Sequence, residues 1–297
     1  MPDRIKILET PRDAMQGIKP FIPTQTKADY INSLLKVGYD IVDFGSFVSP
    51  KAIPQLRDTA DVLRLLDLSQ TDSDLMTIVG NLRGAKNAAK YDEIKYLGYP
   101  HSVSDKFLML NINSSLKKSR KVCTDILNVC TRSDKELVVY LSMAFGNSYD
   151  EEWSVEILEA ECDKLHEMGI KHIALSDTIG SSYPASIAAV FMALVPRFPG
   201  IDFSLHLHTT LHQVYEKLDA AYQHGCKGFD GVLNGLGGCP MADHELVGNV
   251  RTGMILEYME KKGLETKIDK EAFENAITKS ITTFALIDLK NKDHFLL

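Results

Sequence analysis

Ser204-Leu205-His206-Leu207-His208 sets two imidazoles two residues apart within an apolar run. Side chains at i and i+2 of a strand point to the same face, so a strand from Asp202 to His208 carries a ready pair of metal ligands. Similar short β-rich runs flank it along the whole chain: Arg4 to Glu9, Asp40 to Gly45, Leu75 to Gly80, Ile94 to Gly98, Leu137 to Met143, His172 to Asp177 and Gly228 to Leu233. Helical patterns fill the intervals. Thr24 or Thr26 is expected to cap a helix carrying Tyr30, Ile31, Leu34 and Leu35, which Gly38 stops. Asp150-Glu151-Glu152 places carboxylates at the positive end of a helix carrying Val155, Leu158, Cys162 and Leu165, which Gly169 ends. Pro184 to Met192 and Val214 to His224 form further helices. Strict strand-helix alternation over eight units predicts a parallel sheet closed into a (β/α)8 TIM barrel, an α/β fold, with an open doubly wound sheet as the competing arrangement.

The chain has 297 residues, and a barrel of this kind occupies about 250 as one unit. Residues 1–297 are therefore read as a single catalytic domain, with 264–297 as a C-terminal helical extension. Its Ile277 to Leu289 segment packs either on the barrel or on a neighbouring subunit of a homodimer or higher homo-oligomer. A hydrophobic fraction of 44% and a charged fraction of 25% supply enough apolar material for a core and argue against disorder. The net charge of −7 argues against nucleic acid or an anionic membrane as partner and leaves a small molecule. No apolar stretch approaches the roughly 18 residues that span a bilayer, and Met1-Pro2-Asp3-Arg4 leads straight into a strand, so a cytoplasmic location is expected. Five cysteines without zinc-ligand spacing suit a reducing compartment. Cys123, Cys130, Cys162 and Cys226 are read as structural.

In a barrel, chemistry gathers at the C-terminal ends of the strands and in the loops that follow. Asp13 follows the first strand, His206 and His208 close the seventh, and Asn249 lies after the eighth. Two imidazoles, a carboxylate and an amide oxygen suit a divalent cation, Mg2+ or Mn2+, with Zn2+ as a third candidate. Without a metal or partner, two inward imidazoles would bury unsatisfied nitrogens. Arg12 beside Asp13 is a positive fork that either polarises a carbonyl or holds a carboxylate, or else closes the barrel end as a salt bridge. Gly235-Leu236-Gly237-Gly238-Cys239-Pro240 reads as a mobile loop able to close over a substrate, with Cys239 as its proton donor or nucleophile. Asp43 at the end of the second strand, and Asp177 with Thr178 at the end of the sixth, either orient a metal ligand or Arg12 from behind or cap the next helix.

Together, Pro11-Arg12-Asp13, Ser46 to Lys51, Asn111-Ile112-Asn113, Ser176 to Gly180, His206-Leu207-His208, Gly235 to Pro240 and Gly248-Asn249 resemble the 3-hydroxy-3-methylglutaryl-CoA lyase family of metal-dependent TIM-barrel lyases. The resemblance covers nearly the whole barrel. It implies that Asp13, His206, His208 and Asn249 ligate the cation, that Arg12 stabilises a thioester enolate, that His206 or Asp13 acts as base and that Cys239 moves a proton. The implied substrate is an acyl-CoA, 3-hydroxy-3-methylglutaryl-CoA, cleaved to acetyl-CoA and acetoacetate, a reaction of leucine degradation and ketone-body formation. Asp43 stands where the family has glutamate, Thr209-Thr210 where it has Asp-Thr, and Ala14-Met15 where it has Gly-Leu. The run Met241 to Val247 is one residue longer than its counterpart. Two other readings compete: a related lyase or acyl-CoA condensing enzyme acting on another 3-hydroxyacyl-CoA or 2-oxoacid, and a catalytically silent barrel that binds an acyl-CoA or a protein.

Overall fold

Eight parallel strands close on themselves in chain order, each paired with its sequence neighbours and the last with the first. They are β1 (Lys6–Glu9), β2 (Ile41–Ser46), β3 (Asp74–Ile78), β4 (Ile94–Ser102), β5 (Glu136–Ser142), β6 (His172–Asp177), β7 (Asp202–Leu207) and β8 (Gly228–Gly231). The computed structural model describes residues 4–237 and 248–288. Helices alternate with the strands: α1 (Pro11–Gln16), α2 (Thr24–Leu35), α3 (Thr59–Leu63), α4 (Leu82–Ala88), α5 (Asp105–Ile112), α6 (Leu116–Arg132), α7 (Val155–Glu167), α8 (Pro184–Arg197), α9 (Val214–Gln223) and α10 (Thr252–Lys261). A last helix, α11 (Lys270–Asp288), is the expected extension. It lies against α2 of its own barrel, where Phe284 meets Tyr30 edge to face at 5.6 Å.

The strand period of two divides the core into two parts. Val42 and Phe44, Val139 and Leu141, Ile173 and Leu175, and Phe203 and Leu205 point outward into the layer shared with the helices. Leu8, Ile41, Met76, Ile78, Tyr96, Val138, Tyr140 and Ala174 fill the barrel interior. The same alternation makes Asp43, Ser142, Ser176, His206 and Asp230 the inward residues at one end of their strands, the end from which the strand-to-helix loops depart.

Three expectations need correction. Strand β4 does not stop at Gly98 but continues through Pro100 to Ser102. Pro100 lacks an N–H, yet its backbone faces the β3 side, where pairing has ended at Ile78 opposite Gly98, so no ladder bond is lost. Neither Thr24 nor Thr26 caps α2. Pro23 precedes the helix, and the Thr24 hydroxyl instead donates to Asp58. The carboxylates of Asp150 to Glu152 do not start α7; Ser154 caps it, accepting from the Ile157 amide. Glu151 bonds sideways to the Ser104 hydroxyl and the Lys106 amide at the start of α5. A capping residue must sit directly at the helix start, and the chain between Asp150 and Ser154 does not turn helical.

Outside the barrel wall, Glu161 on α7 accepts from His101 Nε2 (2.9 Å) and from Arg120 Nε and Nη2 (2.7 and 2.5 Å). His101 Nδ1 meets Ser119 Oγ at 2.7 Å, so β4, α6 and α7 share one buried polar joint. Burial alone would raise the Glu161 carboxyl, but Arg120 and His101 outweigh it and bring it down from 4.5 to about 2. The folded value lies below the unfolded one, so this contribution is present above about pH 4.5 and is lost as pH falls toward 2. Glu161→Gln is expected to cost about 3 kcal/mol at pH 7, with the gap from the parent protein closing below pH 4, as read by urea unfolding across pH.

Candidate active site

The first and seventh strands deliver the central groups. Thr10 N donates to the Gly231 carbonyl, so the chain leaving β1 turns over the barrel mouth, and Pro11 starts α1 with a fixed φ that suits a first helical turn. That short helix places Arg12 and Asp13 over the interior and Gln16 one turn further on. Across the mouth, β7 presents His206, and the chain just past its end presents His208 on the same face. The two rings stand edge to face with centroids 5.3 Å apart. Asp13, His206 and His208 are all buried, and one ligand atom from each lies within 4.8 Å of the others. Among the described residues no second group of three such side chains forms.

The tautomers follow from the partners. The His206 Nδ1 lies 3.1 Å from Asp230 Oδ2, and a carboxylate only accepts, so Nδ1 carries the proton and Nε2 is the free lone pair. His208 Nδ1 donates to the Thr178 carbonyl at 3.1 Å. Among the described residues its buried Nε2 has no hydrogen-bond partner, an arrangement expected of a group that serves a ligand. Burial and the neighbouring His206 push the His208 ring down to about 4. Burial also disfavours charge on His206, but Asp230 and Asp13 more than offset it and the ring is raised. His208 is thus held neutral, the form that ligates.

Arg12 is held rigidly. Its Nε and Nη2 both lie 2.8 Å from Asp43 Oδ2, and Nη1 donates to Asp13 Oδ1 and to Gln16 Oε1, each at 2.9 Å. Burial pulls the guanidinium down, yet Asp43 and Asp13 hold it above its ordinary range. Three of its five N–H groups donate hydrogen bonds, one from Nε and two from Nη1, which leaves the N–H groups of Nη2, in ion-pair contact with Asp43, for a ligand. Asp43 is a full partner of Arg12 and not a cap of α3. Burial raises its carboxyl to about 6 against the pull of Arg12. Asp13 is lowered: burial opposes charge, but Arg12, His206, His208 and Asn249 prevail. Asn249 Nδ2 donates to Asp13 Oδ2 at 2.7 Å and to the Leu236 carbonyl at 3.0 Å, leaving its Oδ1 as the acceptor available to an ion.

Asp177 neither caps α8 nor reaches the cluster. It accepts from the amides of Ser181 and Ser182, each at 2.9 Å, and so shapes the turn that carries Thr178. Gly237 has φ +94°, and a Cβ there would meet the Asp13 carbonyl oxygen at 2.8 Å, so only glycine lets this loop lie on α1. Gly238, Cys239, Pro240 and Met241 to Val247 lie outside the described residues. Cys123, Cys130, Cys162 and Cys226 are buried, as expected. Burial pushes the Cys130 and Cys226 thiols up to about 12.

A cleft of about 270 Å³ opens beside these groups. Its polar lining comes from Arg12, Asp13, Gln16, Ser142, Thr178 and both histidines, and its apolar lining includes Val48, Ile53, Ile78, Phe107 and Ile112. Three contributors escaped the sequence reading: Asp230, Gln16 and Tyr140. Tyr140 lines the cleft and packs edge-on to His206 at 5.6 Å. An aspartate amid the apolar run Gly228 to Leu233 was the available signal for Asp230. Gln16, at i+3 and i+4 from Asp13 and Arg12, was the corresponding helical signal.

The HMGL-like family model matches residues 4–278, almost the whole of this barrel. The chain belongs to the HMGL-like family. Within it, the chain is 33% identical to the hydroxymethylglutaryl-CoA lyase YngG of Bacillus subtilis, over 93% of this chain and 91% of that protein. It is 30% identical to the mitochondrial hydroxymethylglutaryl-CoA lyase of Gallus gallus, over 90% and 89%. The crystal structure of the Bacillus subtilis HMG-CoA lyase superposes with a TM-score of 0.89 at 32% identity, covering 96% of this chain and 95% of the other. The HMG-CoA lyase of Acinetobacter baumannii, solved with coenzyme A and 3-methylmalate, superposes with a TM-score of 0.86 at 28% identity, covering 99% and 97%. Among the described residues no helix is long and apolar enough to cross a membrane.

Proposed function

We propose that this HMGL-like chain is a divalent-metal-dependent carbon-carbon lyase that cleaves 3-hydroxy-3-methylglutaryl-CoA to acetyl-CoA and acetoacetate. The observation that carries the proposal is the buried meeting of Asp13, His206 and His208 beside Arg12 at the mouth of a closed barrel. The residues fit a hard or borderline cation: one carboxylate, two imidazoles whose Nε2 atoms are free, one of them orphaned, and the amide oxygen of Asn249. A bound Mg2+ or Mn2+ would supply the positive charge that acidifies the tertiary hydroxyl of the substrate.

The chain's own groups do the rest. The hydroxyl loses its proton, the new C=O forms, the C2–C3 bond breaks, and the bonding pair passes into the thioester as an enolate. Arg12, pinned by Asp43, Asp13 and Gln16, offers an Nη2 N–H to that enolate oxygen. Its geometry is set before the charge develops, so no reorganisation is needed at the moment of cleavage. With the one free lone pair of His206 given to the cation, Asp13 takes the hydroxyl proton, and Cys239 returns one to the enolate carbon. The apolar lining of Val48, Ile78 and Phe107 excludes water from the reacting bond. The substrate is a small molecule, and the working compartment we propose is the cytoplasm.

The test is release of acetyl-CoA and acetoacetate from 3-hydroxy-3-methylglutaryl-CoA with Mg2+ or Mn2+ present, against a panel of other 3-hydroxyacyl-CoAs and 2-oxoacids. Turnover of only another compound would overturn the substrate. Asp230→Asn is expected to weaken Mn2+ binding by about 10- to 100-fold, because it removes the carboxylate that fixes the proton on His206 Nδ1. Calorimetric titration of the variant with Mn2+ measures this.

A further inference from the structure

Lys217 on α9 is fully buried, and among the described residues its ammonium has no hydrogen-bond partner. The nearest opposite charge is Asp177 Oδ2 at 3.9 Å. A buried, unbonded ammonium is costly, so its presence needs a reason. Burial pulls the Lys217 amine down, and Asp177 pulls it back up. The Asp177 carboxylate meanwhile accepts from Ser181 N and Ser182 N and thereby sets the turn from 177 to 182. That turn leads straight to the site. The Asp177 carbonyl accepts from the His208 amide at 3.2 Å, the Thr178 carbonyl accepts from His208 Nδ1, and the Thr178 hydroxyl accepts from Met143 N at 3.1 Å. Three contacts therefore tie β7, β6 and β5 together around one imidazole.

We infer that Lys217 is a positioning residue for His208: its buried charge holds the Asp177 turn in place, and the Thr178 carbonyl on that turn keeps the proton on His208 Nδ1 and Nε2 bare toward the cleft. Lys217 touches neither the cleft nor the cluster. Without its positive charge, the Asp177 carboxylate is left buried with two amide donors and no countercharge. The turn then shifts, and the carbonyl that selects the His208 tautomer moves with it.

The inference rests on the metal-site reading above, and its test separates the two. Lys217→Met keeps an unbranched side chain one atom shorter and removes the charge; Lys217→Arg keeps the charge. Each is titrated with Mn2+ and, in the metal-free protein, the His208 tautomer is read by 15N imidazole NMR. Expected are a 10- to 100-fold weaker Mn2+ affinity and loss of the single Nδ1–H tautomer in Lys217→Met, with Lys217→Arg returning to within about threefold of the parent. Should Lys217→Met not fold, the double variant Asp177→Asn with Lys217→Met removes both buried charges and is expected to show the same two losses. A variant that lowers the melting temperature but binds Mn2+ like the parent, with the tautomer unchanged, overturns the inference and leaves Lys217 structural. A parent protein that binds no Mn2+ overturns the metal-site reading instead, and the tautomer then decides the inference alone.

Discussion

Replacing His208 with alanine is expected to abolish stoichiometric Mn2+ binding and to lower lyase turnover by about a thousandfold or more, while the barrel stays folded. The size follows from the job of the site. Charge stabilisation by a cation at a developing alkoxide is worth several kcal/mol, and each 1.36 kcal/mol is tenfold in rate. Among the described residues the His208 Nε2 lone pair has no partner, so removal of the ring leaves a single protein group without its bond, the Thr178 carbonyl that accepted from Nδ1. The stability cost is therefore that of a small rim cavity, about 1 to 2 kcal/mol. Calorimetric titration with Mn2+, thermal melting and a coupled acetyl-CoA assay on the same preparation measure all three effects. Near-normal turnover in His208→Ala would place the chemistry elsewhere.

Arg12→Met is the second large effect, a loss of about 100- to 1,000-fold in kcat, the usual consequence of deleting one preorganised donor to a developing oxyanion. On the proposed role, the interaction is made with the enolate more than with the ground-state thioester, so kcat and kcat/KM are expected to fall together while KM stays close to the parent value. The same change strips Asp43 and Asp13 of their shared countercharge. Asp43, already raised to about 6 by burial, then stays protonated at neutral pH. Arg12→Lys is expected to be nearly as damaging, because one ammonium cannot bond Asp43, Asp13, Gln16 and a ligand at once. Steady-state kinetics on both variants check this, and a selective rise in KM would assign Arg12 to ground-state binding.

The architecture was legible because it repeats. Eight apolar runs separated by helical patterns admit few closed arrangements, and the i, i+2 spacing of His206 and His208 settles which face they share. Arg12 and Asp13 were legible for a local reason too, as charged residues directly after a strand. What could not be read depends on closure of the barrel. Asp230 meets His206 only because β8 pairs with β7 in the register that sets the two opposite each other. Lys217 and Asp177 lie far apart in sequence and meet only when α9 packs against the turn after β6. Asp43 was left open between capping a helix and holding Arg12, and the outcome turned on where α1 crosses the barrel mouth. The misjudged ends of α2 and α7 have a different origin. Before α7 several candidates stand in a row, Asp150, Glu151, Glu152 and Ser154, and backbone direction selects the last; in α2 both threonines fall inside the helix and Pro23 stands at its start, so no side chain caps it.

A crystal soaked in Mn2+ and measured at its anomalous edge tests the central claim most directly. One strong anomalous peak is predicted about 2.0 to 2.4 Å from an Asp13 carboxylate oxygen and from the Nε2 atoms of His206 and His208, with the Asn249 Oδ1 as a further ligand. No peak there at millimolar Mn2+, or an ion seated away from these three side chains, would contradict the account.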